Sequence, residues 1–142
     1  MSILAPDRIR LQATADDKDD AIRQAGELLV TSGCVEAAYV DGMLAREKTM
    51  STYLGNGVSI PHGEYEDRAY IKQTGISIVQ LPAGVEWEDG EKAFLIIGIA
   101  AAKDEHLDVL ANLAEAIEDE EVTQRLITTT DPQDIMVTLE SG

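Results

Sequence analysis

An unbroken apolar run, AFLIIGIA, covers residues 93–100 of the chain. The run is far shorter than the ~20 apolar residues that a membrane-spanning helix needs, and it lacks the alternation of a strand with one face in water. A continuous run of this kind is typical of a central strand buried on both faces. We therefore predict a sheet built around these residues, with other elements covering both of its sides.

The segment at the start of the chain predicts two helices. Asp17 and Asp20 can cap the first helix, and Gly33 is placed to end it in a left-handed conformation. The second helix is expected over about residues 36–47, although Gly42 inside it costs about 1 kcal/mol relative to alanine. The positions expected to face the core are Ile22, Ala25, Leu28, Leu29, Tyr39, Val40, Met43 and Leu44.

The rest of the chain predicts strands and then more helices. A turn-rich passage over residues 48–57 leads to a short apolar piece at 58–60, and residues 76–81 favour a strand. From Glu105 the apolar period changes to 3.6, and two shorter helices are expected after Asp119 and Asp131. Helices at both ends with strands between them indicate a layered α/β fold. Without a linker, repeat or low-complexity tract, we expect one domain over residues 1–142.

Acidic side chains far outnumber basic ones. The 142 residues hold 27 Asp and Glu against 11 Lys and Arg, which gives a formal net charge of −16. Nucleic-acid binding depends on clustered Lys and Arg, and anionic membranes repel such a chain, so neither partner is expected. The single Cys34, and the lack of zinc-type spacing or an N-terminal signal, favour a cytoplasmic protein without a metal or cofactor.

The chain has only two histidines, and both are candidates for chemistry. His62 stands between Pro61 and Gly63, which can hold an imidazole at a strand end with one ring nitrogen free. His106 opens a predicted helix, whose N-terminus favours anions such as phosphate. Arg46 could supply a guanidinium that binds two phosphate oxygens. A purely structural histidine and a surface salt bridge of the arginine are the alternatives that these residue types leave open.

Among the reactions open to these residues, phosphoryl transfer requires the fewest protein groups. It needs a nucleophile, positioned donors and positive charge around the phosphoryl oxygens. A Ser–His–Asp arrangement stays open on spacing alone, but the G-x-S-x-G elbow is missing from the sequence. A metal site would need a third convergent ligand beside the two histidines.

The order of the residues before and after His62 is a more specific indicator of function than the residue types alone. The segments REK at residues 46–48 and STYLGNGVSIPHG at 51–63 make the pattern R-E-x(4)-T-x-L-G-x-G-x-x-I-P-H-G. This pattern resembles the active-site signature of phosphotransferase-system enzyme IIA, mannitol/fructose class. LPAGV at 81–85 and EHL at 105–107 resemble later blocks of the mannitol-type members, and the resemblance extends from the first helix to about Leu126.

The resemblance implies an α/β sandwich in which a mixed sheet is flanked by helices on both faces. It implies that His62 accepts phosphate from the phosphocarrier protein HPr and passes it to a cysteine of an enzyme IIB domain. The linked IIC membrane domain would then import and phosphorylate mannitol or a related polyol. Arg46, His106 and Thr52 are the residues expected to hold the phosphate. Because the sequence has neither a IIB-like cysteine loop nor a membrane segment, a free-standing, monomeric IIA is expected.

The residues after the Pro-His-Gly motif depart from the family pattern. The family usually carries a small or hydroxyl residue there, whereas this chain has Glu64, followed by Glu66 and Asp67. A carboxylate two residues from a phosphohistidine repels it unless it points away or is paired, and Arg68 is the nearest candidate partner. The same three carboxylates could form an acidic rim that docks a basic-edged HPr.

Two other functions fit the same motif. A regulatory enzyme IIA of the nitrogen-related branch would be phosphorylated at His62 but would control partner proteins instead of serving a transporter. A phosphorylation-silent module would use the same scaffold only to bind proteins. The helix start at His106 and the TYLG segment at 52–55 favour the mannitol type.

Overall fold

The structure is a computed structural model that describes residues 4–88, 90–101 and 106–140. Its helices are α1 (Lys18–Thr31), α2 (Ala38–Thr49), α3 (His106–Glu118), α4 (Glu120–Thr128) and α5 (Pro132–Glu140). Its strands are β1 (Ile9–Arg10), β2 (Tyr53–Gly55), β3 (Val58–Ser59), β4 (Gly75–Glu88) and β5 (Glu91–Ala100). Two short 3-10 helices cover Pro6–Arg8 and Tyr65–Tyr70.

The five strands form one mixed sheet in the order β1-β4-β5-β3-β2. The long strands β4 and β5 pair antiparallel at its centre, while β1 joins β4 and β3 joins β5 in parallel. The edge strand β2 pairs antiparallel with β3 through a two-residue turn, Asn56-Gly57. Both turn residues have positive φ, the combination that a type I′ hairpin turn requires.

Helices cover both faces of the sheet, so the predicted α/β architecture is confirmed. On one face, Ile96 packs with side chains of α1 and α2, such as Ile22 and Met43. On the other face, Leu95 and Ile97 pack with side chains of α3, α4 and α5. The apolar run of β5 therefore sends alternate residues into two separate cores, as a central strand buried on both faces should.

Two elements differ from the sequence predictions, α2 in position and β4 in length. Helix α2 begins at Ala38, because Glu36 donates its amide to Tyr70 and Val35 pairs with Ile71. Strand β4 continues to residue 88, well beyond the predicted segment at 76–81. The proline of this segment, Pro82, lies where the register with β5 shifts, a place in a sheet that tolerates a missing amide hydrogen.

The remaining helix boundaries follow the sequence signals. The Asp17 side chain accepts the amide of Asp20 at the start of α1, and Gly33 follows the helix with a φ of +82°. Asp119 caps α4, and Asp131 precedes the proline that opens α5. Within the described ranges, none of the helices is both long enough and apolar enough to cross a bilayer.

Candidate active site

His62 lies just beyond the end of β3, where the chain makes one last contact with the central strand. Its backbone pairs in parallel with Ile99 of β5, and the Ile99 amide donates to the carbonyl of Pro61 at 3.0 Å. The imidazole is half-buried. The short strand β3 is itself fully buried against β5. His62 therefore follows a strand that is paired with the centre of the sheet.

The hydrogen bonding of the imidazole fixes its tautomer. The Nδ1 atom of His62 lies 2.8 Å from the carbonyl oxygen of Ile60. Because a carbonyl can only accept, Nδ1 must carry the proton and donate it. In the neutral ring the second nitrogen, Nε2, then keeps its lone pair and is the nucleophilic atom. The sequence expectation of one free ring nitrogen agrees with this arrangement.

Tyr39 of α2 binds the backbone on the far side of His62. Its hydroxyl accepts the amide of Gly63 at 2.9 Å and donates to the carbonyl of Ile99 at 2.8 Å. Burial raises the pKa of Tyr39 to about 12; the Gly63 hydrogen bond lowers it and the Asp67 charge raises it further. The hydroxyl is therefore neutral across the physiological range. The sequence pattern predicted only that Tyr39 faces the core, since helical periodicity carries no information about a hydroxyl.

His62 opens into a cleft of about 600 Å³. Arg46, in the last turn of α2, lies on the same cleft, and its Nη1 atom donates to the carbonyl of Met50 at 2.6 Å. The structure thus brings together two of the residues that the sequence predicted for the site. The full lining consists of Arg46, Thr49, Met50, His62, Gly63, Glu64 and Glu66.

The acidic residues after His62 have different surroundings. Glu64 and Asp67 form a capping box: the Glu64 carboxylate accepts the amide of residue 67, and the Asp67 carboxylate accepts the amide of residue 64 at 2.8 Å. Both carboxylates therefore bind the first turn of the 3-10 helix Tyr65–Tyr70. Glu66 is exposed and lines the cleft. Asp67 is absent from the cleft lining, so of the three predicted rim residues Glu64 and Glu66 reach it.

Thr52 lies apart from the cleft, in a buried network around Glu47. The carboxylate of Glu47 accepts the amide and the hydroxyl of Thr52, the latter at 2.5 Å, and the indole N–H of Trp87 at 3.0 Å. Lys18 approaches the same carboxylate at 3.9 Å. Thr52 therefore binds this carboxylate in the structure instead of facing the cleft. The sequence signal for Glu47 was its place beside Arg46 in the motif, but nothing indicated its burial.

His106 is the first residue of α3, as predicted, while its side chain lies outside the described part of the structure. The two histidines are 44 residues apart in the chain. The pairing of His62 with Ile99 reduces this separation to seven residues, since α3 follows β5. His62 therefore pairs with the end of β5, the strand that precedes the helix beginning at His106.

The described residues of the site suit nucleophilic chemistry on an anionic group. They combine an imidazole with a free Nε2 atom and a nearby guanidinium, the arrangement that transfer of a phosphoryl group uses. Across the described ranges, there is no group of three or more His, Cys, Asp or Glu side chains placed to hold a metal ion.

Comparison with known proteins agrees with this chemistry. Over residues 2–142 the chain matches the model of the family described as phosphoenolpyruvate-dependent sugar phosphotransferase system, EIIA 2. The mannitol-specific phosphotransferase enzyme IIA component of Bacillus subtilis is 40% identical over 96% of this chain and 95% of its own length. A multiphosphoryl transfer protein of Xanthomonas campestris is 47% identical over 96% of this chain, which spans only 16% of that protein.

A solved structure gives the same assignment. The complex of enzyme IIA mannitol and phosphorylated enzyme IIB mannitol from Escherichia coli contains a chain that matches with a TM-score of 0.90 and 39% identity, over 97% of both chains. The family match covers almost every residue, and the mixed sheet with helices on both faces is shared with this relative. The chain therefore belongs to the EIIA 2 family of the phosphoenolpyruvate-dependent sugar phosphotransferase system.

Proposed function

We propose that the chain, acting as a single domain, is a phosphoryl carrier that holds phosphate on Nε2 of His62. In this proposal phospho-HPr is the donor, and a cysteine of an enzyme IIB domain is the acceptor. The observation that carries the proposal is the hydrogen bond from Nδ1 of His62 to Ile60, because it leaves Nε2 as the free nucleophile of the cleft. Family membership supports the reaction class.

The first transfer begins with the Nε2 lone pair of His62. It attacks the phosphorus of the donor phosphohistidine, a new P–N bond forms, and the P–N bond of the donor breaks with its electron pair returning to the donor ring. His62 keeps its Nδ1 proton and becomes positively charged. The carbonyl of Ile60, which already accepts that proton at 2.8 Å, stabilises this charge. In the second transfer the acceptor thiolate attacks phosphorus, a P–S bond forms, and the P–N bond to His62 breaks with its electron pair returning to Nε2, so the ring becomes neutral again.

Arg46 is proposed to stabilise the charge on the phosphoryl oxygens. Arg46 lines the same cleft, and its guanidinium binds only a backbone carbonyl among the contacts described for it. A charge-assisted bond to phosphate is stronger than the neutral bond that it would replace. His106 is proposed to assist at the phosphate as the second histidine of the family, a role that rests on the resemblance alone.

Glu64 is compatible with a phosphate two residues away because its carboxylate accepts a hydrogen bond from the backbone amide of residue 67. The capping box binds that carboxylate to the start of the 3-10 helix. The unfavourable interaction with a phosphoryl group is reduced when the negative charge is shared with a backbone amide. The departure from the usual residue after Pro-His-Gly therefore agrees with phosphate binding at His62.

Two kinds of observation support the proposed partners: the residues exposed at the cleft and the names of similar proteins. Exposed Glu66 and Met50, which is 67% exposed, lie at the cleft and offer an acidic and an apolar contact to a donor such as HPr. The solved relative is a complex with phosphorylated enzyme IIB mannitol, which supports a IIB acceptor. The full-length Bacillus subtilis relative supports mannitol or a related polyol as the transported substrate. The cytoplasm is the proposed compartment of these transfers.

The proposal is tested by incubating the protein with radiolabelled phosphoenolpyruvate, enzyme I and HPr. We expect one acid-labile, base-stable phosphate per chain, lost completely in His62→Ala and in the similarly sized His62→Gln. His106→Ala should keep the phosphate but acquire it more slowly. Label that survives both His62 substitutions would contradict the site, and a wild-type protein without label would favour a protein-binding module.

Addition of unlabelled IIB domains then tests the acceptor. We expect the phosphate to move to a mannitol-type IIB domain faster than to IIB domains of other sugar classes. Equal rates with all of them would contradict the mannitol assignment, and transfer to none would favour a regulatory role.

A further inference from the structure

A side-chain hydroxyl takes part in the strand pairing at His62. In a parallel ladder, the bond from the Ile99 amide to Pro61 would be followed by one from the Gly63 amide to the Ile99 carbonyl. The first of these bonds is present at 3.0 Å. In place of the second, the Tyr39 hydroxyl accepts from Gly63 at 2.9 Å and donates to Ile99 at 2.8 Å. One oxygen atom of α2 thus bridges the ladder one residue after His62.

The same tyrosine also fixes the position of the backbone by contact. A Cβ atom on residue 63 would lie 2.7 Å from Cε1 of the Tyr39 ring, so the ring packs directly against the Gly63 backbone. Tyr39 is only 3% exposed and belongs to the core formed by α1, α2 and the sheet. A ring held on all sides in a core has little rotational freedom. Both the hydroxyl and the ring therefore fix the position of the Gly63 backbone, at the point where the segment after His62 separates from β5.

We propose that Tyr39 is a positioning residue for the phosphoryl acceptor His62, setting the direction of its imidazole through the Gly63 amide and the Ile99 carbonyl. The inference rests on the proposed function of His62. Tyr39 does not line the cleft, so it acts on the histidine only through the backbone.

The physical basis is that the hydroxyl completes the hydrogen bonding of two backbone groups. Without it, the Gly63 amide and the Ile99 carbonyl must either move together and close the ladder or lose a partner in a buried place. Closing the ladder shifts residue 63 and changes the backbone that holds His62. Losing the partner lets the same residues move. Reactive groups displaced by about 1 Å can lose about a hundredfold in rate.

The chain contains a matched control for this hydroxyl. Tyr53 accepts the amide of Gly57 at 3.1 Å and donates to the Lys92 carbonyl of β5 at 3.3 Å. It therefore joins a turn to the same central strand in the same manner, away from the cleft. Tyr53→Phe removes a hydroxyl that bridges two backbone groups in the same way, at a more exposed position and with a further contact to the Glu91 carboxylate at 3.5 Å, and it leaves His62 and its neighbours as they are.

The test compares the wild type with Tyr39→Phe and Tyr53→Phe at a temperature where the buried, single Trp87 reports all three as folded. Rates of phosphate transfer from HPr are measured over a range of donor concentrations. We expect Tyr39→Phe to lower the maximal rate at least tenfold while the half-saturating donor concentration changes less than twofold. Tyr53→Phe should keep both values within twofold.

A second measurement uses the unphosphorylated proteins. Nitrogen NMR of the imidazole should show the proton on Nδ1 in the wild type and in Tyr53→Phe, and a mixture of tautomers in Tyr39→Phe. A wild-type rate in Tyr39→Phe, or equal losses in both tyrosine variants, would overturn the positioning role. A wild type that takes no phosphate on His62 would instead overturn the proposed function, and the NMR comparison would still decide whether Tyr39 orients the ring.

Discussion

The carboxylate of Asp67 lies against the backbone of Gly42, in the middle of α2. A Cβ atom on residue 42 would overlap with the carboxylate, so the glycine makes room for it. The same carboxylate accepts the amide of Glu64 and holds the 3-10 helix that follows His62. Gly42 lowers the helix propensity of α2, but it also leaves space for the Asp67 carboxylate. Helix α2 can therefore pack against the 3-10 helix that follows His62.

Gly42→Ala should destabilise the protein even though alanine favours helices. The gain in helix propensity is about 1 kcal/mol, but displacement of the Asp67 carboxylate breaks the capping box and strains a packed contact. We expect a net loss of about 1–2 kcal/mol in the free energy of unfolding, measured by urea denaturation. The control is the Asp67→Ala background, where the same substitution should become neutral or stabilising. Equal costs in both backgrounds would contradict the contact.

Arg46→Ala should slow phosphate transfer without unfolding the protein. The side chain makes one described hydrogen bond, to the Met50 carbonyl, at the partly exposed end of α2, so the loss of stability should stay below about 1 kcal/mol. Loss of a charged donor at a transferring group costs about a hundredfold in rate. Arg125→Ala, which removes an arginine bound to Thr138 and Asp134, is the control. Parallel losses of rate and stability would give Arg46 a structural role only.

Glu66→Gln should lower the rate of encounter with a basic-edged donor and weaken its dependence on salt. Glu66 is the exposed carboxylate of the cleft, whereas Glu64 and Asp67 also cap a helix, so their substitution would disturb structure as well as charge. Surface charges at an interface act mainly on the association rate. Stopped-flow measurements from low to high salt check this, with exposed Glu27 of α1 changed to Gln as the control. Identical salt slopes would make the acidic rim irrelevant to docking.

Glu47→Ala should be among the most destabilising single substitutions in α2. The side chain of Glu47 is 2% exposed and satisfies Thr52 and the indole of Trp87. Its removal leaves several buried donors without a partner, at a cost of about 3 kcal/mol. Glu47→Gln keeps one acceptor oxygen and should lose about half as much. Fluorescence of the single Trp87 during denaturation measures both, and an unchanged midpoint in Glu47→Ala would contradict the network.

Tyr39 should make folding less favourable above pH 10. Its pKa is raised to about 12 by burial, while in the unfolded chain it is near its ordinary value of about 10. Between these values the folded state holds a proton that the unfolded state has lost, so stability falls as pH rises, by about 1.4 kcal/mol per pH unit. The difference between wild type and Tyr39→Phe in urea denaturation isolates this effect. A difference independent of pH from 9 to about 12 would contradict the raised pKa.

The fold was largely predictable because its strongest signals are local. The run of β5, the caps Asp17 and Asp119, and Gly33 each act within a few residues, and the structure has a strand or a helix end at each of them. The start of α2 was misplaced because residues 35 and 36 pair with residues 70 and 71. A contact between segments so far apart in the chain leaves no local pattern.

The location of the candidate site was predictable where the motif keeps its residues in order along the chain. His62 and Arg46 both reach the cleft. The contacts of Tyr39 and Glu47 were not predictable, because they depend on partners in other elements, Ile99 in one case and Trp87 in the other. The hydroxyl of Thr52 was assigned to phosphate, but burial brings it to a carboxylate five residues earlier in the chain.

The order of the strands in the sheet has a consequence for folding. Strands β4 and β5 are neighbours in the chain and can pair through a short turn. Val58 of β3 pairs with Leu95, 37 residues away, so this pairing has to close a long loop. Loop closure costs more entropy as the loop lengthens, and pairing of distant strands is slow. We therefore expect the hairpin to form early and the His62 segment to dock on it late. A chain caught partway through folding would then have the central hairpin but no assembled cleft around His62, so the proposed phosphate transfer would begin only after the final docking.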